Sequence, residues 1–139
     1  MIAYPAKFIK AAEGGYTVEF IDIPSCVTEG DTLEDAKKMA KEAISAMLYS
    51  LDSRSMAIPE PSATKRRGVY YIEPELKIAF AITLKKERER LGLSQKDIAE
   101  RLNVNWTYYQ RIENPRRTNP TLKTIEKLQK VFNRQFLSL

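Results

Sequence analysis

The chain has 139 residues, with 23 lysines and arginines against 18 aspartates and glutamates, no histidine and one cysteine, Cys26. Catalytic triads, Cys-His pairs and zinc sites need imidazoles or several thiolates, so none can be built within it, and a lone cysteine excludes an internal disulfide. The net charge of +5 divides unevenly: residues 1–64 hold 6 basic and 10 acidic side chains, net −4, and residues 65–139 hold 17 and 8, net +9. Such asymmetry predicts two modules with different partners, the basic one suited to nucleic acid. A hydrophobic fraction of 43%, with no run of about 18 apolar residues, predicts a globular protein without a membrane span. With no signal peptide and a single thiol, a cytoplasmic location is expected.

Ile2 to Lys10 and Gly15 to Asp22 read as two strands joined through Glu13-Gly14-Gly15, because glycine supplies the positive φ of tight turns. Tyr16, Val18 and Phe20 alternate with Thr17, Glu19 and Ile21, the period of a half-buried sheet. A short third strand is expected around Cys26 to Thr28, after the turn at Pro24-Ser25. Thr32 can cap a helix, with Asp35 at the capping-box position, and Leu33, Ala36, Ala40, Ala43, Ile44, Met47, Leu48 and Leu51 form its apolar stripe. One hairpin is a thin layer for that stripe, so a further strand, Gly68 to Ile72, is expected to return to the sheet. Between them, residues 52–67, with Pro59, Pro61 and the run Lys65-Arg66-Arg67, read as a linker. The first domain is thus residues 1–73 and the second 74–139.

The second domain reads as helical. Glu75 to Leu91 carries apolar residues at Leu76, Ile78, Ala79, Ile82, Leu84 and Leu91; Gly92 can end that helix and Ser94 can cap the next, Gln95 to Leu102. Asn103-Val104 makes a turn, Asn105 can cap a helix over Trp106 to Glu113, and Thr121 to Phe132 shows Leu122, Ile125, Leu128 and Val131 to the core. The segment from Leu93 to Glu113 resembles the helix-turn-helix of the Cro and lambda-repressor type family, over some 55 residues from Ile82 to Asn133 with their flanks. Ala99 is small where two helices cross, and Ile98, Leu102, Val104, Tyr109 and Ile112 supply the shared core. Asn103 stands where the family usually has glycine, and asparagine is the commonest substitute at positive φ; Tyr109 replaces the usual Val or Ile. The resemblance implies that the helix from Trp106 enters the major groove. Carried over, Gln95 would hold a phosphate, and Trp106, Thr107 and Arg111 would face base edges with Tyr108 and Gln110 flanking. Arg116, Arg117 and Thr118 would grip the backbone.

Tyr16-Thr17-Val18-Glu19-Phe20-Ile21-Asp22-Ile23-Pro24-Ser25-Cys26, then Gly30-Asp31-Thr32-Leu33-Glu34-Asp35-Ala36, Lys41-Glu42-Ala43 and Ile58-Pro59-Glu60-Pro61-Ser62 resemble, in order, four motifs of the HicB antitoxin family. Where that family usually reads Phe-Pro-Asp-Leu-Pro-Gly-Cys, Ile21 and Ser25 replace a proline and a glycine. The resemblance implies an α+β chain: a degenerate ribonuclease-H-like sheet with one main helix, then an all-α helix-turn-helix domain of four to five helices. It also implies a partner, a HicA-like mRNA-cleaving toxin whose catalytic histidine the antitoxin covers. An RNA-cleaving toxin should be basic where it holds phosphates, so Glu13, Glu19, Asp22 and Glu29, the acids near the hairpin, are the candidate toxin contacts.

The function expected is therefore an antitoxin of a type II pair that also represses its own operon at double-stranded operator DNA, as a homodimer or higher oligomer, since such repressors read two half-sites. The alternative is a stand-alone repressor whose first domain binds a small molecule or protein. No enzyme, metal or cofactor is expected. A two-metal nuclease needs clustered carboxylates, and Glu19 and Asp22, three apart on one strand, would fall on opposite faces. Cys26 reads as a small buried hydrophobe. The tail Phe136-Leu137-Ser138-Leu139 reads as a dimer contact or a core cover.

Overall fold

A computed structural model of the chain describes residues 1–136, so Leu137, Ser138 and Leu139 of the apolar tail lie outside the described residues. The chain divides between Leu76 and Lys77 into two compact units, with Met1 grouped with the second. Divided there, the first unit has 9 basic and 12 acidic side chains, net −3, and the second 14 and 6, net +8.

In the first unit β1 (Tyr4–Lys10), β2 (Tyr16–Phe20), β3 (Val27–Gly30) and β4 (Val69–Ile72) form one antiparallel sheet in the order β3-β2-β1-β4. The returning strand is present and pairs with the free edge of β1, Tyr4 opposite Ile72 and Ala6 opposite Tyr70. The third strand begins one residue later than expected, at Val27. Cys26 closes the turn instead, its N–H donating to the Ile23 carbonyl at 2.8 Å, and its side chain is buried. Burial pushes its thiol up to about 11, which keeps it protonated and inert.

Alternation places Tyr4, Ala6, Phe8, Val18 and Phe20 on the buried side of the sheet. The helix α1 (Leu33–Ser53) meets them with Ala36, Ala40, Ile44 and Leu48, all fully buried. It starts as its sequence dictates, with the Thr32 hydroxyl accepting from the Asp35 N–H at 3.1 Å. Gly30 permits the close approach of β3 to α1: a Cβ there would run into the backbone of Ala36. The buried Ser45 hydroxyl accepts from the Glu75 N–H at 2.8 Å and pins the chain after β4 back onto α1.

Of the stretch expected as a linker inside the first domain, residues 52 and 53 finish α1 and the rest is a strap held to the sheet around Pro59 to Thr64. The Tyr4 hydroxyl donates to the Pro59 carbonyl at 2.6 Å. Asp22 accepts from the Ser62 N–H at 2.8 Å and from the Ser62 hydroxyl. Tyr71 donates its hydroxyl to the Ser62 carbonyl at 2.5 Å and accepts from the Thr64 N–H at 2.9 Å. Two prolines prevent a helix or an inner strand here, and side chains of the sheet satisfy the strap's backbone groups in their place.

Four helices make up the described part of the second unit: α2 (Leu76–Arg90, whose first residue still belongs to the first unit), α3 (Gln95–Leu102), α4 (Trp106–Ile112) and α5 (Leu122–Phe132). The whole is α+β, an antiparallel sheet with one main helix followed by a helical region, as expected. The core of the second unit comprises Phe80, Leu84, Ile98, Ala99, Leu102, Tyr109, Ile112, Leu128, Phe132 and Phe136. Leu122 is not among them; at 75% exposure it sits in the first turn of α5 and points to solvent. Leu76 at the start of α2 and Leu91 just past its end are likewise exposed. Among the described residues, no helix is long and apolar enough to cross a membrane.

Candidate functional site

In the second unit the local chemistry of each helix end sets the geometry of α3 and α4. The Ser94 hydroxyl accepts from the Asp97 N–H at 3.0 Å while the Asp97 carboxylate accepts from the Ser94 N–H at 2.8 Å, a reciprocal capping box. Those bonds hold the Asp97 carboxyl below its ordinary range. Asn103 ends α3 in the left-handed region at φ +56°, and Asn105 caps α4, its side chain accepting from the Tyr108 N–H at 2.7 Å. Three caps within twelve residues leave the angle between α3 and α4 little freedom.

A buried ion pair then fixes both helices to α2. The Glu113 carboxylate, at the C-cap of α4, takes the Arg88 guanidinium in a bidentate grip, Nε at 2.6 Å and Nη2 at 3.0 Å. The third branch of the guanidinium donates to the Leu93 carbonyl at 2.8 Å. Side-chain exposure is 12% for Arg88 and 2% for Glu113, so water hardly competes. Beside them Tyr109 is fully buried; burial, and then the Glu113 charge, raises its hydroxyl pKa well above the tyrosine range.

Most of the residues expected to face DNA form an exposed arc. Thr107, Gln110, Arg111, Arg116 and Arg117 are exposed, and Trp106 is 44% exposed. Tyr108 is half-buried and packs against the core with one side. The Lys96 ammonium on α3 lies 4.6 Å above the centroid of the Trp106 ring. After α4, Asn114 organises the turn that displays the two arginines: its side chain accepts from the Arg116 N–H at 2.9 Å, and its carbonyl accepts from Arg117 and Thr118.

Two expected residues depart from the arc. Thr118 is 1% exposed and its hydroxyl has no hydrogen-bond partner among the described residues, so its side chain lies inside the turn and not on its surface. Gln95 is half-buried and one of its amide hydrogens goes to Glu113 at 3.3 Å, leaving a single N–H for anything outside. Lys96 was not singled out by the sequence. Its value lies in the ring it covers ten positions on, and neither helical nor strand periodicity links those two residues.

The first unit carries an acidic groove of about 640 Å³ where the β1–β2 turn meets the β3–α1 turn. Of the four acids expected as partner contacts, Glu13 and Glu29 line it. Asp31, Asp35 and Glu42, which sequence reasoning passed over, line it too, and Lys38 is the one cation in the lining. The pairing of Tyr16 with Gly30 and Thr17 with Glu29 creates this gathering by bringing the two turns side by side. Glu19 and Asp22 do not line the groove. Glu19 stands opposite Lys7 across the β1–β2 ladder, and Asp22 lies beyond the end of β2, where it holds the strap. Among the described residues, no three or more acidic, cysteine or histidine side chains are placed so that they could hold a metal ion, those of the groove included.

Comparison with known proteins gives both units relatives. Residues 3–83 match the family model described as HicB_like antitoxin of bacterial toxin-antitoxin system, and residues 84–139 match the one described as Helix-turn-helix. The chain is 31% identical over 99 residues to Antitoxin HicB of Escherichia coli (strain K12), covering 71% of each. It is 32% identical over 103 residues to Antitoxin HicB 1 of Photorhabdus laumondii, covering 73% of this chain and 63% of that one. A chain from the solved HicA3 and HicB3 toxin-antitoxin complex is similar at 24% identity and a TM-score of 0.45, covering 53% of this chain and 99% of that one.

Proposed function

Because the chain belongs to the HicB-like antitoxin family, we propose that it is the antitoxin of a type II toxin-antitoxin pair. Its first unit binds and inhibits a HicA-like mRNA-cleaving toxin, and its second represses the operon at operator DNA. The observation that carries this reading is the joining, in one chain, of an acidic groove to an exposed basic helix-turn-helix surface.

A toxin that holds RNA needs cations where it meets phosphates, and five carboxylates in one groove offer those cations a complementary field. We assign Glu13 and Glu29, with Asp31, Asp35 and Glu42, to that contact. At the DNA, Arg111 reads a base edge, where a guanidinium can chelate guanine O6 and N7. Trp106 and Thr107 stand beside it and Tyr108 and Gln110 flank it. Arg116, Arg117 and the remaining N–H of Gln95 hold phosphates. The unit is used as a homodimer or higher oligomer, because half-sites one helical turn apart require two recognition helices.

The test is coexpression with the product of the adjacent gene. Relief of growth arrest and a copurifying complex are expected, with retardation of the upstream duplex that weakens steeply as salt rises. DNA binding without any toxin-like partner would leave a stand-alone repressor. Absence of both activities would overturn the proposal.

A further inference from the structure

We propose that Lys96 is a positioning residue: it holds the Trp106 ring so that the ring's free face reads a thymine methyl group in the bound duplex. This rests on the DNA-binding role of the second unit. Trp106 is the chain's single tryptophan and the first residue of α4. It is 44% exposed and no member of the core of its unit. The ring is nevertheless held at both ends. Its backbone begins a helix fixed by the Asn105 cap at 2.7 Å, and its π-face lies 4.6 Å from the Lys96 ammonium, an attraction that favours the indole above all other rings.

With the ammonium over one face and the residue still 44% exposed, ring surface away from the ammonium is left for a ligand. An indole has one N–H donor and no acceptor, so what it can present to a base edge is chiefly a flat apolar surface. The major-groove edges of the four base pairs offer a single apolar group, the 5-methyl of thymine. The ammonium also keeps a positive charge beside the duplex, so the pair suits a polyanion better than a bare indole would.

The experiment uses the full chain and a duplex enriched by the wild-type protein from a random pool. Its thymines are replaced singly by uracil, which removes only the methyl. At one position uracil should weaken wild-type binding about fourfold, the worth of one buried methyl-sized group. Trp106→Ala should bind the thymine and uracil duplexes equally. Lys96→Gln should lose most of the discrimination and shift the tryptophan emission of the free protein; Lys96→Arg, which keeps a cation over the ring, should retain both. If no duplex is enriched, the DNA-binding role falls and the inference with it. If a duplex is enriched but no uracil weakens binding, or Trp106→Ala shows the wild-type penalty, the inference alone is overturned. If Lys96→Gln weakens both duplexes equally with discrimination intact, Lys96 is a phosphate contact and its positioning role is overturned.

Discussion

Glu113 ties three helices of the second unit together. Its carboxylate is almost fully enclosed and receives Arg88 from α2 and Gln95 from α3, so three helices meet at two oxygens. Arg88→Met should therefore cost about 3 to 5 kcal/mol in urea denaturation, because it leaves a buried charge without its partner. Adding Glu113→Leu should recover much of that loss, since removing both charges removes the desolvation penalty as well. A second buried acid, Glu87, supplies a pH handle: the hydrogen bond from Arg90 leads in lowering its pKa below the ordinary 4.5, burial opposes it, and Arg134 at 2.6 Å adds to it. A depressed carboxyl contributes stability above its unfolded value and loses that contribution as pH falls through the folded one. Wild type should melt above Glu87→Gln at neutral pH, and the gap should close below about pH 4.5. A gap that stayed constant down to pH 3 would count against the linkage. The residues legible in the sequence at this scale are those whose roles are local, Ser94 and Asn105 as helix caps and Asn103 in its turn. Arg88 and Glu113 lie 25 positions apart, with nothing in periodicity or spacing to join them.

Elements whose cores follow their own period are legible in the sequence, as α1 shows; α5 shows where a period falls short. Of the i, i+3 stripe Leu122, Ile125, Leu128 and Val131, Leu128 is buried and Ile125 and Val131 pack partly buried against the core, but Leu122 is exposed and the off-stripe Phe132 is buried; Phe136 follows inward after Asn133 turns the chain at φ +49°. Edge-to-face contacts of Phe136 with Phe80 at 6.0 Å and Phe132 at 5.7 Å complete that end of the core. The packing partner lay beyond the helix, outside the window a helical period covers. Phe136→Ala should thus cost about 3 to 5 kcal/mol, whereas Leu122→Gln should change stability by less than about 0.5 kcal/mol. Thermal melts of the two variants side by side would check this, and a larger loss at Leu122 would reverse the assignment. The strap's attachment to the sheet is hidden from the sequence for a related reason. Its order comes from Tyr4, Asp22 and Tyr71 on the sheet, and a segment without period or caps carries no local sign of such partners.

At the scale of the whole molecule, the opposed charges of the two units make the proposed activities separable, and substitutions on one unit should leave the other alone. Glu29→Lys with Glu42→Lys reverses two of the five acids in the groove, while leaving the exposed arc of α4 untouched. Such a reversal acts mainly on encounter, so toxin association should slow, and by more at low salt than at high salt where charges are screened. Arg111→Ala acts on the other side, weakening operator binding by about 1 to 3 kcal/mol and relaxing preference at one base pair. Assayed together, the first variant should still retard operator DNA and fail to relieve growth arrest, and the second should do the reverse. The charge split visible in the sequence anticipated this division, but averaged over a unit it could not say where the acids converge. That depends on β2–β3 register, which sets the Glu13 turn beside Asp31, Asp35 and Glu42. Equal loss of both activities in either variant would mean that DNA and toxin are bound through one shared surface, contrary to the proposal.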